Sequence, residues 1–219
     1  MTEIFDFFQN LTNPEWIMEN GGLYLLLFIV FAETGILLGF FLPGDPLLFI
    51  TGMILANNTL PTVDPVWSLL YWILLISIAG ILGNFLGYWT GKRSGSVLLK
   101  RKDNLLFKKK YIVQAQEFYE KKGGGAIILA RFMPIVRTFA PIVAGIVKMD
   151  LRKFSIFNIA GSFIWVGVLV TAGYLLGENE WIKNNLEKII FLIVLIATAP
   201  VLIKMLKGLR NKSLEKNAS

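Results

Sequence analysis

Long apolar stretches alternate with short polar segments along this chain. The apolar stretches cover residues 23–55, 66–90, 125–147, 154–177 and 189–203, and 55% of the 219 residues are hydrophobic. A helix needs about 20 predominantly apolar residues to cross the hydrocarbon core of a bilayer. The pattern therefore predicts an all-α, multi-pass membrane protein with full crossings at 66–90, 154–177 and 189–203.

The charges of the polar segments predict the orientation of these crossings. Lys and Arg are concentrated in residues 92–122, in the turn 148–153 and in the tail from residue 204, whereas residues 1–22 contain four acids and no base. Cytoplasmic loops of membrane proteins carry the excess of Lys and Arg. We therefore expect a membrane protein with its N-terminus outside the cytoplasm and its C-terminus inside.

The other two apolar stretches contain helix-breaking residues. Residues 23–55 are interrupted at Pro43 and Gly44, and residues 125–147 at Pro134 and Pro141. The loop charges place both ends of each stretch on one side of the membrane, and the second stretch is too short for two crossings of about 20 residues each. Each stretch is therefore predicted to be a re-entrant helical hairpin, the first entering from outside and the second from inside.

Corresponding landmarks recur in the two halves of the chain. Glu33 and Pro43 are ten residues apart, as are Arg131 and Pro141. "GYWTG" and "GYLLG" end the crossing that follows each hairpin. Because the hairpins enter from opposite sides, the repeat is predicted to be inverted, and such repeats place the substrate site at their interface.

These boundaries predict one integral membrane domain made of two repeats. Its parts are an extracytoplasmic segment (1–22), the first repeat (23–91), a basic cytoplasmic loop (92–124), the inverted second repeat (125–177), a loop with an additional C-terminal transmembrane helix (178–208) and a cytoplasmic tail (209–219).

Four ionisable residues lie at membrane depth: Glu33, Asp45, Arg131 and Arg137. A charge at the bilayer centre costs about 2.5–3.5 kcal/mol on insertion scales. We therefore expect the two acids to meet the two arginines near the midplane. Arginines bind phosphate in a bidentate manner, and a carboxyl group in a poorly hydrated cavity can carry a proton. The alternative is a structural ion-pair network that only holds the hairpins together.

Other residues are predicted to support this site. The breaks at Pro43, Gly44, Pro134 and Pro141 free backbone groups that must face protein or a cavity. Asn84 lies on or near a glycine-lined helix face that is typical of close packing and is expected to bond a hairpin backbone. Asn158, Gly161 and Trp165 are its expected counterparts in the second half.

The composition excludes several kinds of chemistry. There is no Cys and no His, which excludes disulfides, thiolate nucleophiles, His/Cys zinc sites and a histidine base. We expect no cofactor, no metal and no enzymatic activity; an aspartyl nucleophile at Asp45 would lack a positioned base. The net charge of +7 is explained by cytoplasmic loops rather than by nucleic-acid binding.

Several motifs resemble the DedA family of bacterial inner-membrane proteins, which share the VTT, or SNARE-associated, domain. They are Glu33-x-Gly35, "FLPGD" with Leu47, "GNFLGYWTGK", and "RFMPIVRTFAPIVAG", which ends at Gly145. The resemblance implies a lipid translocase linked to proton-motive force. The substrates that the resemblance implies are undecaprenyl phosphate or phosphatidylethanolamine. It also implies functional roles for Glu33, Asp45, Arg131 and Arg137.

The expected function is therefore translocation of undecaprenyl phosphate for carrier-lipid recycling, with membrane lipids and protons as partners. Glu33 and Asp45 are the candidates for proton coupling. Translocation of phosphatidylethanolamine or another phospholipid, and proton-coupled transport of a small anion or drug, remain alternatives. The sequence leaves a homo-oligomer open.

Overall fold

The computed structural model of this chain describes residues 22–36, 44–57, 64–100, 125–131 and 134–177, together with isolated positions at 16, 179, 181, 185 and 188. Regular structure in these ranges is helical throughout, as the sequence predicts. The helices are α1 (Gly22–Gly35), α2 (Gly44–Asn57), α3 (Pro65–Lys100), α4 (Gly125–Arg131), α5 (Pro134–Ile146) and α6 (Leu151–Leu176).

Among the described residues, two helices are long and apolar enough to cross a membrane. They comprise Pro65–Gly95 (31 residues) within α3 and Leu151–Leu176 (26 residues), which is α6. They match two of the three predicted crossings by length and composition. The third predicted crossing, residues 189–203, lies outside the described residues, as do most of the basic loop and the tail.

Each predicted hairpin stretch contains two short helices rather than one long helix. The 14 residues of α1 span about 21 Å, which is less than the hydrocarbon thickness of about 30 Å. In the second stretch α4 ends at Arg131 and α5 begins at Pro134. Proline suits the first position of a helix because its missing N–H would be unpaired there anyway. Residues 132 and 133 lie outside the described residues, so the break before Pro134 stays a prediction.

The predicted break at Pro141 is wrong. This proline lies inside α5, which continues to Ile146. Proline removes one hydrogen bond of the helix ladder, but here its ring is packed against the neighbouring long helix. A Cβ built on Gly87 of α3 would lie 3.3 Å from the Pro141 Cβ. Packing against α3 therefore holds the helix continuous through this residue.

The short helices interleave the two halves of the chain. The first short helix of each half packs on the long helix of its own half, α1 on α3 and α4 on α6. The second short helix packs on the long helix of the other half, α2 on α6 and α5 on α3. The two halves therefore cannot separate without exposing the surfaces where each second short helix packs on the long helix of the other half.

Glycines allow these exchanged helices to touch backbone to backbone. A Cβ on Gly145 of α5 would collide with the carbonyl of Tyr88 in α3, and a Cβ on Gly91 would collide with the carbonyl of Ile142. The α2–α6 contact is built in the same way, with Gly173 against the carbonyl of Phe49. Small residues serve this purpose in membrane helices. The packing role predicted for the glycine-lined face is thus what the structure shows.

Large apolar side chains on the outside of the helices suit a lipid environment. Phe28, Trp67 and Leu175 are 67%, 68% and 71% exposed, while Leu26, Val30, Leu47 and Val166 lie in the core between α1, α2, α3 and α6. Soluble monomers rarely expose apolar surface on this scale. The exposed faces are therefore those expected to contact lipid tails.

The glycine contacts make a testable prediction about stability. We expect Gly173→Ala to lower the free energy of unfolding by about 1–3 kcal/mol, because the added methyl group forces α2 away from α6. Gly167→Ala in the same helix is the matched control, since a Cβ there meets nothing within 4 Å. Thermal unfolding of both purified variants in detergent measures the difference; equal melting temperatures would contradict the close helix contact.

Candidate functional site

Arg137 of α5 bridges the two buried acids of the first hairpin stretch. Its Nη2 pairs with Glu33 Oε1 of α1, and its Nη1 pairs with Asp45 Oδ1 of α2. Glu33, Asp45 and Arg137 are only 1%, 8% and 4% exposed. One guanidinium thus joins three short helices, in a region that excludes water, by two charge-assisted interactions.

The local chain geometry explains how the two carboxylates converge. Asp45 lies in the first turn of α2, where the helix dipole favours a negative charge, whereas Glu33 lies in the last turn of α1, where the dipole disfavours one. Glu33 therefore depends on Arg137 for compensation. Gly44 makes room for it, because a Cβ at that residue would fall on the Glu33 carboxylate.

Trp165 of α6 completes the group around Arg137. Its indole Nε1 donates a hydrogen bond of 2.8 Å to Asp45 Oδ1. Its ring lies 4.7 Å from the Arg137 guanidinium carbon and 5.8 Å from that of Arg131. Cation–π contacts of this kind strengthen when they are removed from water. Trp165 therefore orients the acid and both arginines at once.

Arg131 has different partners from Arg137. Its Nη2 donates to Asn158 Oδ1 at 2.6 Å and to the Asn158 carbonyl at 3.2 Å. No carboxylate pairs with it among the residues that the structure describes. Arg131 is 2% exposed, so its charge is held in the interior by amide and carbonyl dipoles and by the Trp165 ring.

Asn84 links this second arginine to the other half of the chain. The Asn84 Nδ2 and Asn158 Oδ1 atoms are 2.8 Å apart. If the Asn84 amide is turned over, its oxygen accepts from Arg131 and its nitrogen lies 3.3 Å from the Thr34 carbonyl oxygen. In this second orientation, which we favour, Arg131 Nη2 donates to the facing amide oxygens of both asparagines, which are 2.8 Å apart. It connects Arg131 to the α1 backbone through Asn84.

The structure thus brings the four predicted charges into one buried region but divides them. Arg137 pairs with both acids, whereas Arg131 bonds to the asparagine amides, and both guanidinium groups lie near the Trp165 ring. The division arises because α4, which carries Arg131, packs on α6, whereas α5 carries Arg137 to α3 and to the first hairpin stretch.

The other predicted residues lie outside the group of four charged residues. Pro134 begins α5 and Pro141 packs against Gly87, while Gly145 contacts the Tyr88 backbone, so the last two support the α3–α5 contact rather than the charges. Pro43 lies outside the described residues. No group of three metal-binding acids is found in the described part of the chain.

Two buried serines beside Arg131 were not predicted. Ser77 is one helical turn from Gly80 and two turns from Asn84, and Ser162 is one turn from Asn158 and from Trp165. The Ser162 hydroxyl donates to the Ser77 carbonyl at 3.1 Å. The spacing of Ser77 and Asn84, seven residues apart inside an apolar helix, is the signal that would have placed them on one face.

Comparison with known proteins identifies the family. The model of the VTT domain matches residues 42–175. The DedA protein of Escherichia coli is 38% identical over 90% of this chain and 88% of its own length. The inner membrane protein YqjA of the same species is 32% identical over 78% of this chain and 74% of its own length.

A membrane protein of Mycobacterium leprae is 37% identical over 91% of this chain and 86% of its own length. No solved structure matches. The chain therefore belongs to the DedA family of VTT-domain membrane proteins.

The carboxylate bridge makes a prediction about stability. We expect Arg137→Gln to cost about 3–5 kcal/mol, because it leaves two buried acids without a counter-charge. The triple variant Glu33→Gln, Asp45→Asn, Arg137→Gln should be the more stable of the two, since it buries no unpaired charge. Chemical denaturation in detergent compares the two variants. Arg131→Gln is the control, because it leaves no acid without its counter-charge. A triple variant less stable than Arg137→Gln would refute the bridge.

The Trp165 contacts can be separated by two substitutions. Trp165→Phe removes the N–H group that donates to Asp45 and keeps an aromatic face, so we expect a loss of about 1.5–3 kcal/mol. Trp165→Leu should lose more, because it also removes the cation–π contacts with both arginines. Denaturation in detergent measures both; equal stability of Trp165→Phe and the parent chain would contradict the hydrogen bond.

Proposed function

We propose that this chain is a lipid translocase that moves undecaprenyl phosphate across the bacterial cytoplasmic membrane. The observation that carries the proposal is the buried group of two arginines and two acids between the interleaved halves. Intramembrane charges are costly and usually mark a transport pathway. In this proposal the phosphate enters the arginine region while the prenyl tail stays in the surrounding lipid.

The proposed route depends on two re-entrant hairpins of opposite direction. The α1–α2 stretch would enter from outside and the α4–α5 stretch from the cytoplasm. The exchange of α2 and α5 between the long helices supports this arrangement, because a repeat related by a two-fold axis exchanges corresponding elements. Opening of one hairpin at a time would then expose the site to each side in turn.

Glu33 and Asp45 are the proposed proton carriers. Protonation of either acid removes a negative charge from Arg137 and so weakens the bridge between α1, α2 and α5. Movement of a proton would thereby be linked to movement of the hairpins. The substrate is carried without bond making or breaking, so we propose no enzymatic activity and no cofactor.

A transport assay tests the proposal directly. In proteoliposomes loaded with labelled undecaprenyl phosphate, we expect the parent chain to expose the lipid on both leaflets and Arg131→Ala or Arg137→Ala to slow this at least tenfold. The reason is the loss of charge-assisted contacts to phosphate oxygens. Arg93→Ala is the control, because Arg93 is exposed near the end of α3. Unchanged translocation in both site variants would overturn the assignment.

Arg131, which pairs with no carboxylate in the described part of the chain, also suits the phosphate of a phospholipid or a small soluble anion. The same vesicles separate these alternatives. Translocation of phosphatidylethanolamine in place of the prenyl phosphate would indicate a phospholipid translocase. Proton flux that requires an added soluble solute would indicate a small-anion or drug transporter.

The proposed orientation is testable because the chain contains no Cys. We expect a membrane-impermeant maleimide to label Asn58→Cys in intact cells, and to label Ser213→Cys only after permeabilisation. The reason is the excess of Lys and Arg in the tail, which favours the cytoplasm. Labelling of Ser213→Cys in intact cells would contradict this orientation.

A further inference from the structure

The two buried arginines differ in what neutralises them. Arg137 lies between two carboxylates, so its Nη1 and Nη2 atoms are already engaged by anions. Arg131 contacts only dipoles and an aromatic ring in the described part of the chain, and its Nε has no hydrogen-bond partner there. A buried charge normally requires a counter-charge. Arg131 is therefore positioned to accept an anion without displacing an internal acid.

Polar groups from both long helices surround Arg131. Asn84 and Ser77 come from α3, and Asn158 and Ser162 come from α6. The Ser77 hydroxyl is fully buried and has no partner among the described residues. The amide oxygens of Asn158 and Asn84 face Arg131, and the Asn158 N–H₂ group donates elsewhere, to a backbone carbonyl of α3. Among the described residues, the donors that remain for a phosphate oxygen are the Arg131 Nε and the Ser77 hydroxyl. Ser77 is one helical turn from Gly80, where a Cβ would lie 3.8 Å from Arg131 Nη1.

Two glycines make the space for the guanidinium between the long helices. A Cβ on Gly161 of α6 would lie 2.9 Å from Arg131 Cδ. A Cβ on Gly80 of α3 would lie 3.1 Å from Ser162 Oγ and 3.8 Å from Arg131 Nη1. Arg131 therefore sits in a gap between α3 and α6 that any larger residue at these positions would reduce.

We infer that Arg131 and Ser77 form the binding site for a phosphate-ester oxyanion, that Asn84 and Asn158 hold the guanidinium in place, and that Arg137 stays with Glu33 and Asp45 when the head group is bound. This inference rests on the proposed function and assigns its binding step to one of the two arginines. A phosphate oxygen takes Nε of Arg131 while Nη2 stays with Asn158, and the Ser77 hydroxyl gains an acceptor.

The charges around the site also select the head group. Arg137 contributes +1, and Glu33 and Asp45 contribute −2 when both are ionised, so that neighbouring group carries a net charge of −1. This −1 balances the +1 of Arg131, so the four groups together sum to zero when all are ionised. Each negative charge on a bound head group then adds to the net negative charge of the region, so the site favours a monoanion, either a phosphodiester or a phosphomonoester that retains one proton, over a dianion.

Binding to the purified full-length chain in detergent tests the inference. Farnesyl phosphate is the probe, farnesol is the uncharged control, and calorimetry measures the affinity. We expect farnesyl phosphate to bind and farnesol to bind at least tenfold more weakly. Arg131→Gln should weaken the binding of farnesyl phosphate at least tenfold, and by more than the triple variant Glu33→Gln, Asp45→Asn, Arg137→Gln does. A larger loss in the triple variant would assign the site to Arg137 and overturn the inference.

Ser77→Ala distinguishes a binding role from a structural one. We expect it to weaken farnesyl phosphate binding about threefold or more without lowering the melting temperature, because its hydroxyl has no hydrogen bond to lose. Thr51→Val in α2 is the reciprocal control, since the buried Thr51 hydroxyl donates to the Leu47 carbonyl at 2.7 Å. That variant should melt lower and bind unchanged. Full affinity in both Ser77→Ala and Arg131→Gln would refute the site.

Two further measurements separate this inference from the proposed function. A short-chain phosphodiester phospholipid, titrated beside farnesyl phosphate, shows which head group the site takes; binding of either supports the oxyanion site, and binding of neither overturns it. If farnesyl phosphate binds through Arg131 but vesicles show no lipid translocation, the proposed function fails and the site stands. Translocation that survives Arg131→Gln overturns the site.

Discussion

The ion-pair bridge of Arg137 to Glu33 and Asp45 connects parts of the chain that are 104 and 92 residues apart. In water such pairs contribute little, but in a membrane interior a missing partner leaves a charge that neither lipid nor protein can solvate. The fold therefore depends on this bridge. It fixes α1, α2 and α5 to one another, and Trp165 extends the connection to α6.

Close helix packing is the second constraint, and it makes the bridge geometrically feasible. The carboxylate of Glu33 occupies the space above Gly44, where any side chain would exclude it. Glycines on α3 and α6 bring α5 and α2 to backbone contact, which sets the depth at which their charges meet. Lipid tails are as apolar as the helices, so association depends on this close fit rather than on the hydrophobic effect.

The separation of the two arginines gives the site two physically different parts. Around Arg137 the charges are balanced by acids, and a change of protonation there alters the contact between helices. Around Arg131 the surroundings are neutral donors and acceptors, with a buried serine hydroxyl that has no partner in the described part of the chain. Trp165 contacts both parts. A transporter needs one element that holds its cargo and another that controls access, and this division supplies a candidate for each.

The sequence by itself determined the class of this protein and the four charged residues that the structure brings into one buried region. Apolar length, the charges of the loops and four ionisable residues in apolar stretches are sufficient for that, because the bilayer imposes strict rules on length and charge. The tertiary structure decided how the residues pair. Sequence spacing does not tell which arginine meets the acids, since that depends on α5 crossing to α3 while α4 stays on α6. It also does not show that Pro141 stays helical against Gly87, or that the α3 face of Ser77 and Gly80 packs against Arg131, because both follow from contacts between helices that are distant in the chain.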